Sequence, residues 1–240
     1  MISALTILRY RKRFIPFALL SMALFRIPLW LNKNIGFWKL MGSGRNGSFD
    51  KSPDWQQWAI LTVIKSENIS PSPGQSGFNR ILYGPFISGW IRLFGCEVWT
   101  VLLEPIEGHG YWDGKKVFGE LPAASAYEGP IAILTRATIR LSRLRNFWKN
   151  VDPVARQMAF AKGLIASLGI GEVPFIKQAT FSIWESKEDM KNFAYQMKTH
   201  ADVIRKTRNE RWYSEDMFVR FKISGSSGTI KGYNPLTGKS

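Results

Sequence analysis

Apolar and polar positions along the chain fall into two kinds of run. Strand-length stretches rich in β-branched and aromatic residues occur at Ser3–Arg9, Trp55–Ile64, Glu97–Leu103, Pro130–Ile139, Phe175–Trp184 and Met217–Ile223. Each is bounded by Gly, Pro or polar clusters, which predicts strands. Helical spacing covers Phe14–Leu31, Phe78–Phe94 and Ser186–Arg208, and Leu141–Leu168 carries one or two helices. Gly42, Gly44 and Gly47 spell the letters of a dinucleotide fingerprint. Pro53 and the polar run after Gly47 leave no room for the helix which that motif must open, so the stretch reads as a loop.

The order strand, helix, strand, helix, strand occurs twice, and short echoes support a duplication. SALTILRYR parallels AILTRATIR, and Asn34-Ile35-Gly36 before WQQWAILTVIKS parallels Leu168-Gly169-Ile170-Gly171 before KQATFSIWES. A diverged duplication leaves order before identity. The predicted class is α+β, with two fused ferredoxin-like halves forming a dimeric-type α+β barrel within one chain. The predicted boundaries are a first half over 1–110, a Gly-rich connecting loop over 111–129, a second half over 130–223 and a flexible tail over 224–240.

Composition narrows the chemistry. The chain of 240 residues is 45% hydrophobic and 14% aromatic, enough for a sizeable core, and its net charge is +15. The cations are scattered and no nucleic-acid module accompanies them, so either a solvated basic surface or a polyanion partner other than nucleic acid fits. Cys96 is the lone cysteine, which excludes an intramolecular disulfide and a cysteine-based zinc cluster and suits a reducing, cytoplasmic setting. Arg9, Arg11, Lys12 and Arg13 precede the apolar run Phe14–Leu31. Arg26, Pro16 and Pro28 interrupt that run, so a core helix or a helix in peripheral contact with a membrane is read in preference to a spanning one.

Histidine occurs twice, as His109 and His200. On the Ser186–Arg208 helix, Met190, Phe193, Ala194, Met197, Ala201 and Ile204 share one stripe, with His200 at its margin. Such a residue is either an ordinary boundary histidine or a metal ligand. A bare catalytic metal needs about three protein ligands, whereas a haem needs one. His109, between Gly108 and Gly110 on the connection, is the weaker candidate. Arg136, Arg140 and Arg205 are either surface charges or partners for haem propionates. Phe193 and Met197 complete the expected cofactor-contacting set. Ser186 with Asp189 reads as a helix cap. No nucleophile elbow and no P-loop occur.

The segments IGFWKLMGSG (35–44), LTRATIR (134–140), GIGEVPFIKQATFSIW (169–184), FAYQMKTHADVIRKTRNERWYSEDMFVRF (193–221) and GTIKGYNPL (228–236) resemble the spheroidene monooxygenase, or acyclic carotenoid 2-ketolase, family. The resemblance implies a haem-dependent oxygenase with haem b as cofactor and His200 as the iron ligand. It also implies dioxygen and reduced ferredoxin as co-reactants, and an apolar carotenoid-like substrate converted to a ketone. Two rival readings stand beside it. One is a barrel enzyme of other chemistry, a haem dehydratase or a cofactor-free oxygenase. The other is a non-catalytic haem- or lipid-binding protein.

Overall fold

The computed structural model describes residues 1–45, 52–65, 75–158, 160–196, 205–207 and 209–238. Its elements are β1 (Ile2–Arg9), α1 (Ile15–Leu24), α2 (Arg26–Leu31), β2 (Ile35–Gly44), β3 (Pro53–Ile64), α3 (Gln75–Leu93) and β4 (Glu97–Gly110). Then come β5 (Ile131–Ile139), α4 (Leu144–Met158), β6 (Leu164–Val173), β7 (Lys177–Trp184), α5 (Lys187–Lys191) and β8 (Tyr213–Gly228). Hydrogen-bonded neighbours run β1-β3-β2-β6-β7-β5-β8-β4 and close as a barrel. Within each half the strand order is the same, β4-β1-β3-β2 and β8-β5-β7-β6. This is the α+β barrel of two ferredoxin-like repeats that the sequence predicts.

Two compact units emerge, and their boundaries cut across the two halves. The first comprises 1–43, 54–104 and 223–240, and the second 44–53 and 105–222. Both β4 and β8 are long enough to run from one unit into the other.

In the first unit, β1 pairs antiparallel with β3 and β4. Ala4, Leu8, Ile60, Ile64, Val98 and Leu102 pack against Ala18, Phe25, Leu29, Phe78, Leu82 and Ile87 of the helices. Each such side chain stabilises by about 1.5–3 kcal/mol when fully buried. The run Phe14–Leu31 is two helices, with Phe25 buried at the break. The hydroxyl of Tyr10 donates to Ser21, which donates to the Ala18 carbonyl, tying α1 down by a buried polar contact. α3 breaks at Gly84, whose φ of +81° only glycine adopts cheaply, and Pro85 disfavours a helical residue before it.

In the second unit, β5 pairs antiparallel with β7 and β8. On its helix-bearing face lie two apolar clusters. Ile131 and Ile133 pack with Met158, Trp184, Met190 and Phe193, and Ile139 packs with Phe147, Trp148 and Trp212.

The structure corrects several boundaries. Residues 35–44 are strand β2, so Gly42 and Gly44 belong to a strand and not to a loop. The helix expected over Leu141–Leu168 ends at Met158, and Leu164–Val173 is strand β6. The helix expected from Ser186 changes to a π-helical turn at Asn192–Gln196, and its residues 197–204 lie outside those described. The expected flexible tail continues β8 to Gly228, and Glu97 then accepts hydrogen bonds from the Thr229 hydroxyl and the Gly232 amide.

Candidate functional site

The two repeats place a threonine at matching points of their first strands, Thr6 in SALTILRYR and Thr135 in AILTRATIR. Thr6 is sealed. It pairs with Ile60 and Thr100, and its hydroxyl is 2.6 Å from the Tyr83 hydroxyl of α3 and 2.8 Å from that of Thr100. Burial pushes the Tyr83 phenol up to about 12, so it stays a neutral hydrogen-bonding group. Thr135 also pairs on both sides, with Thr180 and Phe218, yet it is exposed. It lies between Ile133 of one apolar cluster and Ile139 of the other. Among the described residues no helix side chain closes over this central-strand position.

The hollow so formed has an orphan polar atom. Thr180 is 8% exposed, and among the described residues its hydroxyl has no hydrogen-bond partner. A buried hydroxyl left unpaired costs about 1–3 kcal/mol, so the position favours a ligand that would pair with it. Phe218 supplies an aromatic floor, half buried, with the His109 ring stacked on it at 5.8 Å and 24°. Glycine on either side does not make His109 part of a mobile loop. Residues 108–110 are the end of β4, where a Cβ at Gly108 or Gly110 would collide with the β8 backbone near Phe218 and Asp216.

Two charge clusters frame this region. Arg220 lies over the Phe218 ring at 4.9 Å and pairs with Glu107, which also receives Lys187 Nζ at 2.8 Å and the Ser125 amide at 2.8 Å. Burial pushes the Glu107 carboxyl up, but the hydrogen bonds from Lys187, Arg220 and Ser125 outweigh it and hold the carboxyl below the usual carboxylate range. Lys187 opens α5, capped by the Ser186 hydroxyl, which accepts from the Asp189 amide and donates to its carboxylate. Glu107 thereby fastens the start of the segment that carries Phe193. Nothing in the sequence separation of Glu107, Lys187 and Arg220 announces this cluster.

The second cluster is built around Arg136. Arg136, 1% exposed, lies an odd number of positions from Ile131 and Ile133, so it projects from the opposite face of β5 to Phe193. It pairs with Glu215, and its Nη2 sits 3.6 Å from Asp113 and 3.7 Å from Glu172. Trp112 stacks under its guanidinium at 5.5 Å and donates to Glu172. Carboxylates of this chain surround that cation, although its Nε and Nη2 have no hydrogen-bond partner among the described residues. Burial raises the Glu215 carboxyl, but the Gly114 and Asp113 amides and Arg136 bring it below the ordinary range.

Of the other predicted residues, Phe193 is buried against Trp184 at a ring separation of 5.4 Å. Arg140 is exposed at the end of β5, donating to the Tyr213 carbonyl, and Arg205 is exposed. His200 and Met197 lie outside the described residues. Cys96 is half buried in the first unit, and burial pushes its thiol up to about 12, which disfavours a thiolate ligand. Among the described residues no three His, Cys, Asp or Glu side chains converge on a metal position. A cavity of about 440 Å³ is lined by Met217, Val219, Phe118 and His109 among others.

No family model matches the chain. Spheroidene monooxygenase of Cereibacter sphaeroides is 34% identical over 201 residues, covering 83% of this chain and 59% of that protein. The chain thus spans less than two thirds of that relative's length. Spheroidene monooxygenase of Rhodobacter capsulatus is 31% identical over 226 residues, covering 94% of this chain and 90% of that protein. Among solved structures, an aldoxime dehydratase matches with a TM-score of 0.59 at 11% identity, over 99% of this chain and 86% of that one, a likeness of fold alone. At such identity over nearly the whole of both sequences, as with the Rhodobacter protein, the chain belongs to the spheroidene monooxygenase family of oxidoreductases.

Proposed function

We propose that this protein is a haem b-dependent monooxygenase that introduces a keto group into an acyclic carotenoid or a similar apolar lipid, with dioxygen and reduced ferredoxin as co-reactants. The observation that carries the proposal is the hollow at Thr135, set against the sealed Thr6 of the first repeat. It offers an aromatic floor in Phe218, an unpaired hydroxyl in Thr180 and an apolar wall in the Phe193 cluster. A flat, largely apolar group with one face toward a hydroxyl and its acidic edge toward exposed arginines fits such a space. Family membership supports the reaction class.

The proposal gives each residue a part. His200 is the single protein ligand that a haem requires, and Met197 and Phe193 give apolar contact along the same segment. Arg140 and Arg205 are the cations for the propionates. The haem iron, when bound, supplies the binding and activation of dioxygen. This chain's own residues then place the substrate carbon and exclude water. The Thr180 hydroxyl can give or take one hydrogen bond in the hollow, and Phe218 and the Phe193–Trp184 pair keep the surroundings apolar.

The test is an absorption spectrum of the protein after haem loading, beside His200→Ala. A band in the Soret region that His200→Ala loses would support the ligand, and ketone formation from an acyclic carotenoid with ferredoxin and dioxygen would support the reaction. A normal spectrum in His200→Ala would remove the ligand assignment. Haem binding without turnover would leave a non-catalytic haem protein, and turnover without haem a cofactor-free oxygenase.

A further inference from the structure

The helix layer of the first unit is built inside out. Ala18, Ser21, Phe25 and Leu29 fix α1 and α2 to the sheet, while Phe17, Leu19, Leu20, Ile27, Trp30 and Leu31 are exposed, Trp30 at 77%. α3 adds exposed Ile81, Phe86 and Leu93 to the same layer. The helices are in contact through the stacked Phe17–Phe94 pair at 4.7 Å, the Phe25–Phe86 pair at 6.5 Å and a hydrogen bond from Asn32 to the Leu82 carbonyl. A helix that is apolar all round belongs in a core or in lipid, and soluble monomers rarely expose so continuous an apolar surface.

Charge says which cover fits. No aspartate or glutamate occurs from Met1 to Phe49 or from Gln75 to Cys96, so α1, α2 and α3 carry no acidic residue. Arg11, Lys12, Arg13, Arg26, Arg80 and Arg92 are all exposed on or beside these helices. Arg11, Lys12 and Arg13 stand just before the N-terminus of α1, where the helix dipole disfavours cations. An apolar face whose described charged neighbours on these helices are all cations is complementary to a layer whose surface is anionic and whose interior is hydrocarbon. It is poorly complementary to itself, because a second copy would set arginine against arginine.

Length and composition alone would let Lys12–Leu31 cross a membrane. The break at the buried Phe25 and the buried anchors Ala18, Ser21 and Leu29 oppose extraction from the sheet. We propose that the exposed face of α1, α2 and α3 docks this protein peripherally on an anionic lipid bilayer, with Phe17, Leu20, Trp30 and Leu31 entering the acyl boundary and the arginines meeting headgroups. This holds whether or not the haem reading does. If both hold, the face brings the enzyme to the phase in which an apolar lipid substrate dissolves.

The experiment is vesicle co-sedimentation of the full chain. Phosphatidylcholine vesicles with and without a third of phosphatidylglycerol are compared at low and high salt, with light scattering for the mass in solution. The expected result is binding to the anionic vesicles, weakened by salt and by omission of phosphatidylglycerol. Arg11→Ser with Lys12→Ser and Arg13→Ser should lower it by roughly 100-fold, taking each cation at about a fivefold effect. Leu20→Ser with Trp30→Ser and Leu31→Ser should abolish it while leaving the melting temperature unchanged, since these side chains lie outside the core. No vesicle binding by the intact chain would overturn the proposal. So would a dimer that Trp30→Ser converts to monomer, or protein that alkaline carbonate fails to release from the vesicles.

Discussion

The two ferredoxin-like repeats share a strand order and even an equivalent threonine, yet their helix layers do opposite things. In the first unit the helices bury Ala4 and Leu8 of β1, beside a fully buried Thr6, and turn apolar side chains outward. In the second they meet solvent with charge, as at Arg145 and Lys149 of α4, and among the described residues leave Thr135 exposed. One layer is held by apolar burial and the Thr6–Tyr83–Thr100 contact, the other in part by buried ion pairs around Glu107. A duplicated fold can therefore specialise by what its helices leave open, with the sheets unchanged.

The largest effect should come from the charged layer. Glu107→Gln leaves Arg220 and Lys187 short of their counter-charge, which should destabilise by about 3 kcal/mol in denaturant unfolding. The pH dependence has a definite sign. A carboxyl held below its usual range contributes stability that is present above about pH 4–5 and is lost as pH falls through the lowered value. Wild type should lose stability on acidification below that range, and Glu107→Gln should lose less. An identical pH profile for the two would remove Glu107 as the fastening group.

The matched threonines give the next test. Thr6→Val leaves the buried Tyr83 and Thr100 hydroxyls short of a partner and should cost about 1–3 kcal/mol. Thr135→Val, at an exposed position, should stay within about 0.5 kcal/mol. Equal losses would mean that Thr135 is covered and the hollow closed. A similarly modest stability change but a sharper functional one is expected from Thr135→Trp, which fills the hollow. Its stability should again move by less than about 1 kcal/mol, while haem affinity measured by optical titration should fall at least tenfold. Unchanged affinity would move the cofactor elsewhere.

Much of the fold is legible in the residues because alternation survives wherever a strand has one dominant partner face. β1, β3, β4, β5, β7 and β8 are all announced this way, and the internal echo marks the duplication. The two strands the pattern hides, β2 and β6, occupy the same place in each repeat. Their side chains are mostly half buried on both faces, and glycines dilute the period, so pairing with β3 and β7 decides them. Of the candidate site, Phe193 is where its stripe puts it. For Arg136, a charge count cannot tell which face of the strand the residue takes or that Asp113, Glu172 and Glu215 converge on it from distant segments.

The sequence by itself determines the repeat, the class of fold, the family, and a helix layer without acidic residues, since each depends on local period or on identity. Only the tertiary structure decides that Thr6 is sealed and Thr135 open, and that Glu107, Lys187 and Arg220 meet. It also decides that the apolar residues of α1 and α2 divide into anchors and an outward face. Those outcomes depend on which helix crosses which strand, and contacts between residues so far apart in the chain leave no period to read.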